Sequence, residues 1–332
     1  MLSPESVAVS LFSHGAPKVF VLCVLLLMWN ADVQLDQAFQ MSELFSGSAT
    51  LASEFAAEGC DSASLDKRYG RGMDVNTSSG FGCFLAAVLR SKANSLIWLG
   101  VLCSSWVAAS RGSTFRTFAN AEGYLPYCSV DNGNRMAARS AFICLLAHAL
   151  NHSFAVEQPR SSLLWRHSRF LWLLERVPVW KLHLWMGSWG SKSPKASTLW
   201  CNRPWISGFW TSAKLDMRKF DEHKQKGFRP TKRYVDKAGL RRWTGTKQLT
   251  DTGIYTRCFA KKVFQLWTRS KGDPEPIPDG PEICERALVL FEASSYEDRC
   301  EDAMLIEVVH YLRGCAGLLV PEEWKPLLPK RL

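Results

Sequence analysis

The chain lacks a C-x-x-C pair, any internal repeat and any apolar run long enough to cross a bilayer. Its 11 cysteines are odd in number and scattered from Cys23 to Cys315, so neither a zinc site nor a disulfide framework is suggested. Reduced thiols packed as small hydrophobes in a reducing compartment are expected instead. The longest apolar run, residues 19–29, stops well short of the about 20 residues that a membrane-spanning helix needs. It has the length of a signal-peptide core, yet the residues before it hold one Lys and one Glu, and no small-x-small cleavage pattern follows. Two expectations stand: a targeting segment, or a packed helix or loosely ordered extension. A secretory signal would reverse the inference of a reducing compartment.

Acid is also in short supply, with 31 Asp and Glu against 41 Lys and Arg and a net charge of +10. That balance favours polyanionic partners such as nucleic acid or an anionic surface. Residues 211–247 hold twelve Lys and Arg against four Asp and Glu, so most of the excess sits in one segment. It reads either as a solvated basic face or as a phosphate-contacting one. The length of 332 residues and 47% apolar content allow a sizeable core in one large domain or two modest ones.

The rest of the chain is organised around residues 41–66. A short apolar run ends at Phe45, turns through Ser46, Gly47 and Ser48, and continues at helix period through Leu51, Phe55 and Ala56 to Gly59. A second short run ends in Asp66, 21 residues after Phe45, the spacing at which nucleotide-binding α/β folds set an acid against ribose hydroxyls. Small residues in the turn let N–H groups and a helix N-terminus approach an anionic group.

Alternating segments follow. A helix is expected over 81–92, a buried parallel strand over 95–102 that delivers Cys103, a long loop over 111–134, and a helix over 135–150. A short strand over 153–156 then leads into Glu157-Gln158-Pro159, followed by a helix over 161–177 and strands over 181–186 and 198–201. The pattern predicts an α/β fold with a doubly wound, mostly parallel sheet. Eight tryptophans between 165 and 210 read as core rather than as a base-stacking platform. The chain divides into an N-terminal extension (1–40), an α/β domain (41–210), a basic segment returning to the core (211–270), a Pro- and Gly-rich linker (271–281) and a helical tail (282–332).

Three loops at one sheet edge therefore present a thiol, a carboxylate and a small-residue turn with its acid. Here the chain resembles the cytosine-5 DNA methyltransferases. Glu43-Leu44-Phe45-Ser46-Gly47 is similar to their D/E-L-F-x-G motif, Val101-Leu102-Cys103-Ser104 to the Pro-Cys loop, and Glu157-Gln158-Pro159 to the Glu-Asn-Pro or Glu-Asn-Val motif. Trp189-Gly190 through Lys195-Ala196-Ser197 to Asn202 looks like a further motif. Gly245-Thr246-Lys247 with residues 255–260 is similar to the last, cofactor-side one.

The resemblance, over about 43–267, implies an S-adenosylmethionine-dependent methyltransferase of Rossmann-like type acting on DNA or RNA, and by extension a nuclear location. Cys103 would be the nucleophile, aided by a nearby cation such as Arg111; Glu157 would hold the base, and Lys195 would lie near base or phosphate. Phe45, Ser46, Gly47, Ser48, Asp66 and Asp74 would hold the cofactor. Arg229, Lys232, Arg233, Arg241 and Arg242 would contact the nucleic-acid backbone without choosing bases. Leu102 stands where the family has Pro, Gln158 where it has Asn, and Ala49-Thr50 where more Gly is usual. Only 42 residues separate Asn202 from Gly245, too few for the large target-recognition domain that many members carry. The alternative reading is a catalytically silent nucleic-acid-binding module on the same fold.

Overall fold

A computed structural model describes residues 3–30, 33–212 and 214–271 and, in the tail, residues 304, 306, 308, 309 and 312. From 272 on, the expected linker and all but those five tail residues lie outside the described set.

The chain starts with two helices, α1 (Pro4–Ser13) and α2 (Lys18–Trp29), and then enters a strand, β1 (Phe39–Leu44). There follow α3 (Thr50–Ala57), β2 (Ser62–Leu65), α4 (Ser78–Leu89), β3 (Ser91–Leu99), a one-turn α5 (Arg111–Thr114) and α6 (Cys128–Ala149). Next come β4 (Ser153–Pro159), α7 (Ser168–Arg176), β5 (Trp180–Trp185) and β6 (Ala196–Cys201). A short α8 (Met217–His223), an antiparallel hairpin of β7 (Thr231–Val235) and β8 (Arg241–Gly245), and α9 (Arg257–Arg269) complete the described chain.

Six strands form one sheet in the order β2-β1-β3-β4-β6-β5. β1 runs parallel to β2 and to β3, and β3 to β4, while β6 is antiparallel to both of its neighbours. The fold is thus α/β with a mostly parallel sheet, consistent with a Rossmann-like arrangement. From β1 the chain moves outward to β2, then crosses back past β1 to β3. The order therefore reverses between β1 and β3, which opens a crevice beyond their carboxyl ends.

Strand alternation sorts the core into two layers. Met41 in β1, Leu96 and Trp98 in β3 and Ala155 in β4 face α3 and α9. Leu44, Ile97, Leu99, Phe154 and Val156 face the opposite layer of α4, α6 and α7. That period-2 division, with helices on both sides, is what reads in the sequence as near-continuous apolar strands.

The N-terminal run becomes α2, and every residue from Val19 to Leu27 is at most 2% exposed. A helix apolar on all sides needs cover on all sides. α1 and α4 flank it, Phe20 stacks on Phe142 of α6 at 4.7 Å, and Met304, Val308, Val309 and Leu312 of the tail join the same core. Residues 4–29 therefore pack into the domain's second layer, in line with the packed-helix expectation for this run. Among the described residues no helix is long and apolar enough to cross a membrane, and all eight described cysteines are free thiols. Of the tryptophans, Trp165 stacks on Trp200 at 4.1 Å and Trp205 is buried, but Trp210 stands 69% exposed.

Candidate functional site

The turn after β1 is backbone-strained. Phe45 (φ 59°), Gly47 (φ 58°) and Ala49 (φ 53°) all occupy the left-handed region, which costs a non-glycine residue about 1–2 kcal/mol. Hydrogen bonds hold it there. Asp66, directly after β2, accepts from the Gly47 N–H at 2.9 Å with one oxygen and from the Arg68 N–H at 2.8 Å with the other. The Tyr69 hydroxyl donates to the Gly47 carbonyl at 3.1 Å and lies 3.2 Å from the Ser46 hydroxyl.

Glu43 points from β1 into the α3 layer, where its carboxyl accepts from the Ala52 N–H at 2.8 Å. Burial pushes this carboxyl up to about 8, against the pull of the Ala52 and Leu51 amides, and the charge of Asp66 adds to the rise. The first turn of α3 thus already holds an acid of the chain itself, and the Gly47 amide already has Asp66. The turn expected to offer these groups to a ligand spends them on its own shape. Asp74 behaves likewise: its carboxylate accepts from the Asn76 N–H at 3.0 Å, closing its own loop.

The opposite wall is built from β3, β4 and β6. β3 begins earlier than its apolar pattern suggests and ends at Leu99, so Cys103 sits in the following loop rather than at a strand terminus. No proline stiffens that loop. Instead the Gln158 amide donates to the Val101 carbonyl, and Ser162 donates to the Gln158 oxygen at 2.8 Å. Gln158, which stands where the resembled family has Asn, ties the cysteine loop to β4.

Glu157 lies inside β4, opposite Leu199 of β6, and is 6% exposed. One of its oxygens accepts from the Tyr255 hydroxyl at 3.3 Å, and that hydroxyl accepts from the Trp98 indole N–H at 3.1 Å. The other oxygen is 3.3 Å from the Lys195 ammonium, yet no aligned hydrogen bond reaches it. Lys195 itself sits at φ 25°, just before β6, held where its carbonyl accepts from the Met186 N–H at 2.9 Å. Backbone strain of this kind gathers at functional sites.

Burial pushes the Cys103 thiol up; the Lys195 ammonium pulls it back and Glu157 pushes it further. The cation that acts on the thiol is Lys195. Arg111, suggested for that role by sequence, faces the Ser161 carbonyl at 3.4 Å and lies over Phe118.

Both walls line one cleft. Phe45, Ser46, Gly47, Ser48, Asp66 and Asp74 form one side, and Cys103, Glu157 and Lys195 the other, around about 170 Å³ of open volume. It lies in the crevice that the strand order dictates. Every cofactor-side and catalytic position expected from sequence is there. Tyr255 is the residue sequence reasoning passed over: buried, with its hydroxyl held well above the usual phenol range chiefly by burial, it bridges β3 and β4 under the cleft. Its only signal was its place in the last motif.

The basic positions do not line the cleft. Lys232 and Arg233 lie on β7 and Arg241 and Arg242 on β8, with Arg229 just before the hairpin; Arg229, Lys232, Arg233 and Arg241 are exposed. β8 packs on the single turn Ala108–Ser110, a few residues beyond Cys103. The 3-10 turn after it, Lys247–Gly253, brings Thr250 and Gly253 to the cleft rim. Among the described residues no group of His, Cys, Asp and Glu is placed to hold a metal ion.

Comparison with known proteins returned no matching family model, no similar curated protein and no similar solved structure.

Proposed function

We propose that the cleft is the active site of an S-adenosylmethionine-dependent methyltransferase of the cytosine-5 DNA type. One observation carries the reading: a thiol, an ammonium and a buried carboxylate from three separated segments meet beside the strained turn at the sheet's switch point. Residues 45–48 with Asp66 and Asp74 would hold S-adenosylmethionine, which supplies an electrophilic methyl group. The half-buried ring of Phe45, which lines the cleft, and the unused lone pairs of the two carboxylates are what remain for it, because the turn's own amide at Gly47 is taken.

The base must leave its stack to reach the cleft. Cys103 sulfur, once deprotonated, bonds to carbon 6 of cytosine, and the electrons of the carbon 5–carbon 6 double bond move to give an enamine nucleophilic at carbon 5. Lys195 favours the thiolate that burial disfavours. The Glu157 oxygen without an aligned partner accepts from the base, while Tyr255 fixes the other. Once carbon 5 has taken the methyl group, leaving the donor as a neutral thioether, it would lose its proton to water; those electrons re-form the carbon 5–carbon 6 double bond as the carbon–sulfur bond breaks and the thiolate is restored. Arg229, Lys232, Arg233, Arg241 and Arg242 contact phosphates, so affinity falls with salt without sequence preference.

A second reading has its own support: the burial-raised thiol of Cys103, beside a Glu157 already paired with Lys195, fits a silent nucleic-acid-binding module. A DNA containing 5-fluorocytosine separates the two. The methyltransferase forms a covalent adduct that requires both the cofactor and Cys103 and is lost in Cys103→Ala. Cofactor binding with no adduct and no labelled methyl transfer leaves the silent module.

A further inference from the structure

The loop between Cys103 and α6 carries a cluster of exposed rings. Phe115 (55%), Phe118 (67%), Tyr124 (49%) and Tyr127 (45%) all face solvent. They are not a loose tuft. Tyr124 and Tyr127 meet edge to face at 4.9 Å, and Phe115 lies 6.0 Å from Tyr124. Phe118 has the guanidinium groups of Arg111 and Arg166 at 5.7 and 5.6 Å from its ring centre.

The segment is built around Arg116, which is 1% exposed and lies 3.6 Å from the centre of the Trp106 ring. Its guanidinium donates to the Ser105 hydroxyl at 2.9 Å, the Asn134 side-chain oxygen at 2.7 Å and the Val130 carbonyl at 3.1 Å. Gly133 is required there, because a Cβ would stand 2.8 Å from both Arg116 and Ser105. A buried, multiply bonded arginine fixes the backbone of a loop whose aromatic side chains point outward. Rings that filled a core defect would be the reverse.

We propose that this surface is a stacking platform for unpaired nucleotides, and that the protein binds single-stranded nucleic acid across it. Three exposed rings in mutual contact, with a fourth flanked by two guanidinium groups, fit bases whose faces are free; in a duplex those faces are covered by their neighbours. Charge argues for the same occupant. Arg111 and Arg166 border the platform, and the basic hairpin packs on Ala108–Ser110 of the same loop, so a strand lying on the rings would run beside its cations. The inference deepens the methyltransferase reading by naming its substrate as unpaired, but the platform stands on its own contacts and needs no catalysis.

The test is titration of the full chain with a fluorescent single-stranded DNA of about twelve nucleotides carrying 2-aminopurine, beside the same sequence as duplex, as RNA, and against phosphatidylserine vesicles. Single strand is expected to bind at least about tenfold tighter than duplex, with quenching of the 2-aminopurine. Tyr124→Ala and Tyr127→Ala are each expected to weaken it about fivefold or more, and Tyr124→Phe to restore it. RNA binding equal to DNA supports the platform, which reads base faces and not the sugar. Equal affinity for duplex, or single-strand affinity unchanged in both alanine variants, overturns it. Vesicle binding lost in Tyr124→Ala while oligonucleotide binding persists assigns the rings to lipid and also overturns it. The readout is affinity, so a protein that binds the strand but transfers no methyl group retires the transfer reading alone.

Discussion

The two walls of the cleft are made in opposite ways. On the β1 wall the polar groups are spent internally: Asp66 serves two amides, Glu43 serves the first turn of α3, and Asp74 closes its own loop. On the β3–β4 wall the groups are left unfinished, with a Glu157 oxygen short of an aligned donor, a strained Lys195 and a burial-raised thiol. The first wall is a shape held chiefly by its own bonds, although one Glu43 oxygen is left without a partner. The second is a set of charges held apart from bonds they would otherwise make, and unfinished valence inside a fold is what binding or chemistry can complete.

Breaking the self-bonded wall should cost stability, and the largest loss is expected from Gly80→Ala. A Cβ there would lie 1.8 Å from the Asp74 carbonyl oxygen, so α4 must shift off the loop. A loss of about 3 kcal/mol or more is expected in denaturant unfolding. Unchanged stability would mean that the Asp74 loop is not packed as described. Asp66→Ala comes next, leaving the Gly47 and Arg68 amides without their acceptor for about 1–3 kcal/mol. Asp66→Asn, which keeps one acceptor oxygen, should lose less.

Glu43 offers a pH test of the same wall. Its folded value of about 8 lies above the ordinary carboxyl value of 4.5, so between these the folded state holds a proton that the unfolded state has released. Stability from this group is therefore greatest below the lower value and falls as pH rises through the higher one, with a slope of at most about 1.4 kcal/mol per pH unit. Glu43→Gln should flatten the curve over that window relative to the unaltered protein. Parallel curves would place the titration elsewhere. His148, His152 and His167, each lowered to about 4 mainly by burial, act on the acid side in both proteins: their stability holds above about 6.5 and is lost as pH falls toward 4.

The unfinished wall should respond in function more than in stability. Tyr255→Phe removes the donor to Glu157 and leaves the Trp98 indole without its acceptor, a loss of about 1–2 kcal/mol in folding. Under the proposed methyltransferase function, S-adenosylmethionine affinity should stay within about twofold, while the rate of adduct formation falls about tenfold or more because Glu157 is no longer aimed. Equal losses in both would make Tyr255 a purely structural residue.

Much of this was legible in the residues. The turn after Phe45, the acid after the second strand, the thiol after the third and the carboxylate at Glu157 all follow from apolar runs with small or polar residues at their ends. What was misread has local causes. Residues 128–134, expected as loop, are the first turns of α6; their Asn, Asp and Gly hide a helix whose Gly133 exists to admit Arg116. Residues 100–102 looked like strand because Val101 and Leu102 are apolar, although Leu102 is 45% exposed. The reversed direction of β6 has no local signature at all, since a short buried strand reads the same either way.

The order of apolar and polar residues was enough to dictate a sheet with helices on both faces and the edge at which its loops gather, because burial acts on each side chain through its neighbours in the chain. Which groups answer one another at that edge was decided only by folding. Lys195 meets Glu157 and faces Cys103, and Tyr255 reaches under both, because Coulomb forces and hydrogen bonds depend on distances that the antiparallel return of β6 and the docking of α9 create.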